Sequence, residues 1–371
     1  MKDENINKQG NKIQILVAPL DWGLGHATRC IPLIYTLQNL GASVILAAEG
    51  ATAALLHNEF PEVKLLTLKG YRISYSKNKS TFFLKLLSQV PGIYFTIMNE
   101  NKWLNKIVKE YSIDAVISDN RFGLYHKQIP CVYITHQLYI ETGIGSLNRL
   151  LQKIHYKFIN RFTQCWVPDA AGQQNLAGKL SHPQKLPLIP VKYLGILSRF
   201  KKQEQSILND LLILLSGPEP QRTIFENILL KQLKNNSQAV VLVRGLPLEK
   251  KTIIASENLK IINHLSAGEL SKYIQQSKWI LARAGYSTIM DLAALQKKAI
   301  LVPTPGQGEQ EYLAKYLKQK NLFYTCAQQN FLLKVAIQNA ESFSFEKNGA
   351  PNGLDEQIIY AWLAAIKKTT A

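Results

Sequence analysis

The chain is poor in several things that would have narrowed its class at once. Among its 371 residues there are only four cysteines. Cys30, Cys131, Cys165 and Cys326 lie far apart and form no Cys-x-x-Cys pair, so neither a zinc knuckle nor a disulfide scaffold is expected, and the usage suits a reducing compartment. No apolar run approaches 18 residues, which leaves no candidate for a spanning helix. The first twelve residues, MKDENINKQGNK, lack the apolar stretch of a signal peptide and read as a disordered tail. Acidic residues are outnumbered, 26 against 44 basic, for a formal charge of +18. The basic excess is nevertheless spread along the chain. It forms no block of the kind that nucleic-acid tails show, so a nucleic-acid partner is not expected; a generally basic solvated surface explains the charge better than a specific patch, and a phosphorylated substrate or acidic membrane lipid would qualify as an anionic partner.

What is present is a repeated alternation of short apolar runs with helical periodicity. Ile13–Ala18, Ser43–Ala48 and Val63–Leu68 read as strands, with helices at Ala27–Leu40 and Ala51–Asn58 between them. Such a βαβαβ series implies a parallel sheet with crossover helices. Tyr71–Tyr111 reads as helices unusually rich in both apolar and basic residues. The sheet resumes at Ile113–Ser118, Cys131–Thr135 and Gln164–Val167, with a basic amphipathic helix at Arg149–Phe162. Prolines 183, 187 and 190 and the polar stretch after Gly195 mark a linker. The alternation then restarts at Leu211 and runs through Trp279–Glu311 to helices at Leu332–Ala340 and Leu354–Lys367. The expected organisation is a tail over 1–12, a first α/β domain over 13–195, a linker over 196–210, a second α/β domain over 211–350 and a terminal helical segment over 351–371.

The chemistry-bearing residues sit where strands end. Gly23-x-Gly25-His26-x-x-Arg29 follows the first strand, Asp119 ends the fourth, and His136 follows the fifth. The C-terminal edge of a parallel sheet is where ligands bind in open α/β folds, and a histidine there can serve as a base near neutral pH. A plain tight turn, a capping histidine and a turn-forming aspartate explain the same three features separately. A dinucleotide fingerprint is a further reading of the glycines, but Thr28 occupies the place of its third glycine. In the second half, Gly285 offers a turn, Ser287 and Thr288 open a helix, and Thr288-x-x-Asp291 has capping-box spacing. A second helix start follows Pro303–Gly308 at Gln310 and Glu311. Two helix N-termini beside two parallel strands suit a phosphate. Gly217 and Arg222, in the loop after Leu215, are candidates to help hold a diphosphate.

Taken together, these motifs resemble a GT-B glycosyltransferase, and most closely glycosyltransferase family 28, which contains the lipid II-forming N-acetylglucosaminyltransferase and the monogalactosyldiacylglycerol synthases. The resemblance runs from Gly23-Leu-Gly-His26 to about Leu317 and is best over Arg283-Ala-Gly285-Tyr-Ser-Thr288-Ile-Met-Asp291, Val302-Pro303 and Gln310-Glu311-Tyr312. It implies an α/β GT-B fold of two Rossmann-like domains with an interdomain cleft, the last helix returning to the first domain. It also implies inverting, metal-independent transfer of a hexose or N-acetylhexosamine from a UDP-sugar to a hydroxyl acceptor. The apolar and basic Tyr71–Tyr111 and Arg149–Phe162 segments suggest in addition a first domain that rests on an anionic membrane, at the inner face of the cell membrane, and takes a lipid-linked acceptor; core packing explains the same residues. No cofactor beyond the UDP-sugar is implied, and the chain has no Asp-x-Asp motif.

On the matching positions, the resemblance puts His26 at the reaction centre as the general base and His136 across the cleft on the acceptor side; Asp119, at its strand end, is a further catalytic candidate, and Gly23, Gly25 and Arg29 belong to the acceptor-side loop. Ser287 and Thr288 would face the diphosphate, with Arg283 and Gly285 before them. Asp291 would bind the ribose, the backbone at His264 and Leu265 the uracil, and Gln310 and Glu311 the sugar. The chain departs from the family at Asp291 (usually Glu), at Pro218-Glu219-Pro220 (usually Gly/Ser-rich) and at Glu311 (often Gln). Gly23–Cys30 also resembles the UDP-sugar hydrolase of pseudaminic acid synthesis. A nucleotide-binding regulatory module is the non-enzymatic alternative.

Overall fold

A computed structural model describes residues 12–71, 79–141, 145–234, 236–247, 249–250, 256–346 and 353–370. The expected tail over 1–12 lies almost wholly outside them, as do residues 72–78 of the apolar, basic segment. Two all-parallel sheets form the framework. The first comprises β1 (Gln14–Pro19), α1 (Leu24–Asn39), β2 (Ser43–Ala48), α2 (Gly50–Glu59), β3 (Leu65–Thr67), α3 (Lys79–Glu110), β4 (Ala115–Asp119), β5 (Cys131–Ile134), α4 (Gly145–Ile159), β6 (Gln164–Val167) and β7 (Val191–Tyr193). The second comprises β8 (Asn209–Leu214), α5 (Gln221–Leu233), β9 (Val240–Val243), β10 (Leu259–Ile262), α6 (Ala267–Gln275), β11 (Ser277–Ala282), α7 (Tyr286–Ala294), β12 (Ala299–Leu301), α8 (Gly308–Gln319), β13 (Tyr324–Thr325), α9 (Leu333–Glu341) and the terminal α10 (Glu356–Thr370).

Strand orders are β3-β2-β1-β4-β5-β6-β7 and β10-β9-β8-β11-β12-β13. The order reverses between β1 and β4 in one sheet and between β8 and β11 in the other. Loops after those strands diverge there and leave a crevice. Pro19 pairs with Asp119 at the reversal point of the first sheet.

The strands are apolar on both faces because helices cover both. Ile15 and Val17 point into one cluster, Leu16 and Ala18 into another. The outer clusters lie under α3 and α4 on one side and under α5 and α9 on the other. The third cluster is continuous across both sheets and includes residues of α1, α7, α8 and α10. The two halves therefore share a core. α10 packs against the first sheet's side, where Trp362 meets Trp166 edge-on with ring centroids 5.1 Å apart and Glu356 accepts from Thr36.

Three local details differ from the sequence reading. The segment ending near Tyr111 forms one helix of 32 residues with Pro91 inside it. The proline-rich stretch near Val191 ends in β7, which completes the first sheet. Thr288 does not cap a helix: Gly285 is the N-cap of α7, without a side-chain cap. The helix that does carry a full capping box is α6, where Ser266 and Glu269 bond reciprocally. Both starts have suitable residues, so burial decides. Asp291 is drawn inward to accept from Ser198 Oγ at 2.7 Å and is lost to any cap.

Candidate active site

The β1–α1 turn fixes the first wall. Gly23, at φ +89°, is the N-cap of α1 and holds a backbone shape that a side chain would strain. His26 follows in the first turn and Arg29 one turn later. Gly25 is needed for a different reason: a Cβ there would stand 2.6 Å from Ser287 Oγ, and Ser287 donates to the Gly25 carbonyl at 3.0 Å. The starts of α1 and α7, one from each half, therefore touch.

Around His26 lies a compact charged cluster. Asp119 is fully buried and Arg29 nearly so. The Arg29 guanidinium bonds both Asp119 oxygens, Nη2 to Oδ1 in a very short contact and Nε to Oδ2 at 2.8 Å. His26 Nδ1 lies 3.2 and 3.3 Å from the same oxygens and 2.9 Å from Arg29 Nη2. Burial alone would raise the Asp119 carboxyl, but Arg29 and His26 hold it below the usual carboxylate range. Burial and the Arg29 charge push the His26 imidazole down, outweighing Asp119. His26 is thus kept neutral and 15% exposed, as a base needs.

His136 closes the cluster from the end of β5. Its Nδ1 is 3.1 Å from Arg29 Nη1, and its ring stacks on Tyr286 with centroids 4.1 Å apart. Its Nε2 meets Glu309 Oε1 at 2.7 Å, across the two halves. The sequence reading passed over Glu309 and named its neighbours. Gln310 and Glu311 instead close their own loop, accepting from the N–H groups of Thr304 and Gly306 at 2.9 Å each. The reason is helical spacing: consecutive residues of α8's first turn point in different directions, and it is Glu309 that is directed at His136 of the first half.

On the second wall, α7 and α8 both begin without side-chain caps, so their first N–H groups and positive dipole ends remain available. The space over Gly285 is open. Its φ of −79° is ordinary, so the expected glycine turn is not what this position requires. Arg283 is 1% exposed, lies over the Phe225 ring at 4.3 Å, and has an Nε without a partner. No carboxylate among the described residues pairs with it, and burial lowers it to about 10. Gly217, at φ +99°, lies within contact reach of Thr304 Oγ1, itself buried and unpartnered. Arg222 does not reach toward a ligand as expected. Glu219 at 2.6 Å and Glu226 at 2.9 Å hold it at the base of α5.

Asp291 is pushed up to about 6 by burial, against the pull of Arg199 and Ser198. Arg199, in the connection between the halves, was not read from the sequence; its buried Nε is unpartnered. Its charge also lowers His264, after burial. His264 is exposed and Leu265 buried, just before α6. The structure thus gathers Gly23, Gly25, His26, Arg29, Asp119 and His136 on one wall, and Ser287, Asp291, His264 and the uncapped starts of α7 and α8 on the other.

Comparison with known proteins agrees with the two-sheet α/β fold. Residues 216–352 match the glycosyltransferase family 28 C-terminal domain. The chain is a glycosyltransferase of the GT-B fold, similar to family 28. It is 23% identical over 357 residues to the UDP-N-acetylglucosamine--N-acetylmuramyl-(pentapeptide) pyrophosphoryl-undecaprenol N-acetylglucosamine transferase of Clostridium tetani, covering 90% of this chain and 93% of that one. It is 22% identical over 336 residues to an uncharacterized glycosyltransferase of Methanosarcina acetivorans, covering 83% and 84%. Among solved structures it resembles MurG of Acinetobacter baumannii (TM-score 0.54, 14% identity, 96% and 100% covered) and the kitacinnamycin glycotransferase (TM-score 0.64, 11% identity, 96% and 94% covered).

Proposed function

We propose that this glycosyltransferase moves a hexose or N-acetylhexosamine from a UDP-sugar to a hydroxyl acceptor, with inversion and without a metal. One observation carries the reading. The neutral His26, 15% exposed and backed by the ionised Asp119, stands opposite uncapped helix starts of the other half at the Gly25–Ser287 contact. His26 takes the acceptor proton as the hydroxyl attacks the anomeric carbon from the face opposite the diphosphate. The departing diphosphate gathers negative charge, and the N–H groups of α7 and α8 meet it, with Arg283 and Arg199 adding positive charge nearby. Preorganised dipoles of this kind can supply what a metal supplies elsewhere. Asp291 accepts from the ribose hydroxyls, the backbone at His264 and Leu265 borders the uracil, and Gln310 and Glu311 shape the loop around the sugar. The reading needs no cofactor beyond the donor.

The test is UDP release from a panel of UDP-sugars, with and without hydroxyl acceptors. Release that depends on acceptor, with an anomerically inverted product, is expected. Full-rate release into water alone would replace the transferase by a hydrolase. UDP binding without turnover of any donor would leave a binding module.

A lipid-linked acceptor at a membrane surface is the second element of the proposal. α3 exposes Val90, Tyr94, Phe95 and Met98, and α4 exposes Leu150 and Ile154 beside Arg149, Lys153 and Lys157. Among the described residues no helix is long and apolar enough to cross a membrane. Apolar and basic side chains together suit the interface of an anionic bilayer, which in a cell is the inner face. Flotation with anionic liposomes at low salt should carry the protein upward; failure to float removes this element and leaves the chemistry untouched.

A further inference from the structure

Two histidines stand in the cluster, and geometry separates their roles. We propose that Arg29 is a positioning residue that fixes His136 in its Nε2–H form, making His136 a hydrogen-bond donor into the cleft and leaving the role of base to His26. A guanidinium can only donate. Arg29 Nη1 lies 3.1 Å from His136 Nδ1, so Nδ1 must carry its lone pair there. The ring proton then sits on Nε2, aimed at Glu309 Oε1, 2.7 Å away. A nitrogen that is already protonated and bonded to a carboxylate cannot accept a proton from an acceptor hydroxyl. The stack on Tyr286, 6° from parallel, prevents the ring from turning to exchange its nitrogens, and Tyr286 is itself tied to the Pro168 carbonyl at 2.8 Å.

His26 is placed differently. Its Nδ1 faces Asp119 at 3.2 Å as well as Arg29 Nη2. Nη2 has other acceptors, Asp119 Oδ1 and, with the Asn120 amide turned to satisfy its own neighbours, the Asn120 oxygen at 3.2 Å. His26 Nδ1, unlike His136 Nδ1, thus has a carboxylate to donate to as well as a guanidinium to accept from, so Arg29 does not fix its tautomer; the role of base requires the form that donates to Asp119 and keeps the Nε2 lone pair free. Every charged or titratable group that faces the two rings enters this account: Arg29 and Cys30 from α1, Asp119 from the end of β4, Tyr286 from α7 and Glu309 from α8.

The inference deepens the transferase reading and rests on it for the role of His26. The tautomer of His136 is measured without any substrate, so the two can fail separately. The experiment is a long-range ¹H–¹⁵N correlation spectrum of the full chain labelled at histidine, with His136→Gln and His26→Gln assigning the signals. In the wild-type protein at pH 7.5, His136 should show a protonated Nε2 and an unprotonated Nδ1. In Arg29→Met that pattern should give way to exchange-averaged nitrogens, and Arg29→Lys, which keeps a donor and the charge, should restore part of it. A wild-type His136 found as imidazolium or as the Nδ1–H form overturns the proposal, as does an unchanged His136 pattern in folded Arg29→Met. If Arg29→Met does not fold, the wild-type spectrum decides alone.

Discussion

The two walls that meet at Gly25 and Ser287 are built on different principles. The first-half wall is a cluster of side-chain charges, Arg29, Asp119, His26 and His136, paired with one another and withdrawn from water. The second-half wall relies on backbone: helix starts without caps, a loop closed by Gln310 and Glu311, and Arg283, which has no carboxylate partner among the described residues. Paired charges can handle a proton at a set affinity. Uncapped N–H groups, and a guanidinium that bonds only backbone carbonyls, suit an anion from outside. Under the proposed function, proton transfer falls to one wall and donor binding to the other, and this division can be broken from either side.

The largest effect should come from the buried pair. Asp119→Ala leaves Arg29 charged and buried, and should cost about 3–5 kcal/mol of stability in denaturant unfolding. The sign with pH follows from the depressed Asp119 carboxyl. Its stabilisation is present above the unfolded carboxylate range near 4 and is lost as pH falls toward the folded value, so acid should unfold the wild type more steeply than Asp119→Asn. A stability loss within error would show that the pair is not closed as described. Next, His26→Ala should lower kcat by ~10²–10⁴ while UDP binding by calorimetry stays near wild type. Weakened UDP binding with intact kcat would reverse the division between the walls.

A change at the junction comes third. Gly25→Ala drives a methyl group into Ser287 and should cost about 1–3 kcal/mol, with Ser287→Gly in the same chain relieving most of it. An additive pair would remove the contact between the two helix starts.

On the donor wall, Asp291 is held at about 6. If its carboxylate takes ribose hydroxyls, UDP affinity should fall as pH drops through 6, approaching tenfold per unit well below it. Asp291→Asn should flatten that dependence, and an equal slope in both proteins would release Asp291 from ribose binding. The folding sign is opposite to that of Asp119. A raised carboxyl contributes stability that is full below the unfolded value near 4 and is lost as pH rises through about 6.

The smallest effect separates the two helix starts of the second half. Ser266→Ala removes a real capping box and should cost about 1 kcal/mol. Thr288→Ala, inside α7, should change stability by no more than about 0.5 kcal/mol. Equal costs would restore the cap at Thr288.

Much of the framework was legible in the residues. Apolar runs of four to six residues bounded by glycine, proline and polar turns located β1, β2, β5, β6 and β11, because strands covered on both faces must be apolar throughout. β7 and β13, three and two residues long, carry too little pattern to stand out. The residues His26, Asp119 and His136 were legible for a topological reason. Parallel strands joined by crossovers bring all their C-terminal ends to one edge, so a polar residue after each strand lands near the others. Glu309 and Arg199 had no such signal, since each acts beside residues far away in the sequence.

The motif Gly23-x-Gly25-His26-x-x-Arg29 and the βα alternation thus determine which groups stand at the edge and which sheet carries them. Tertiary structure alone decides the pairings. Arg29 closes on Asp119, Arg222 turns away to Glu219 and Glu226, Asp291 leaves its apparent cap for Ser198, and Glu309 crosses to His136. The physical reason is that local spacing fixes where a side chain starts. Where its charge is satisfied depends on which opposite charge burial brings within reach, and that is settled only when the two halves close on a common core.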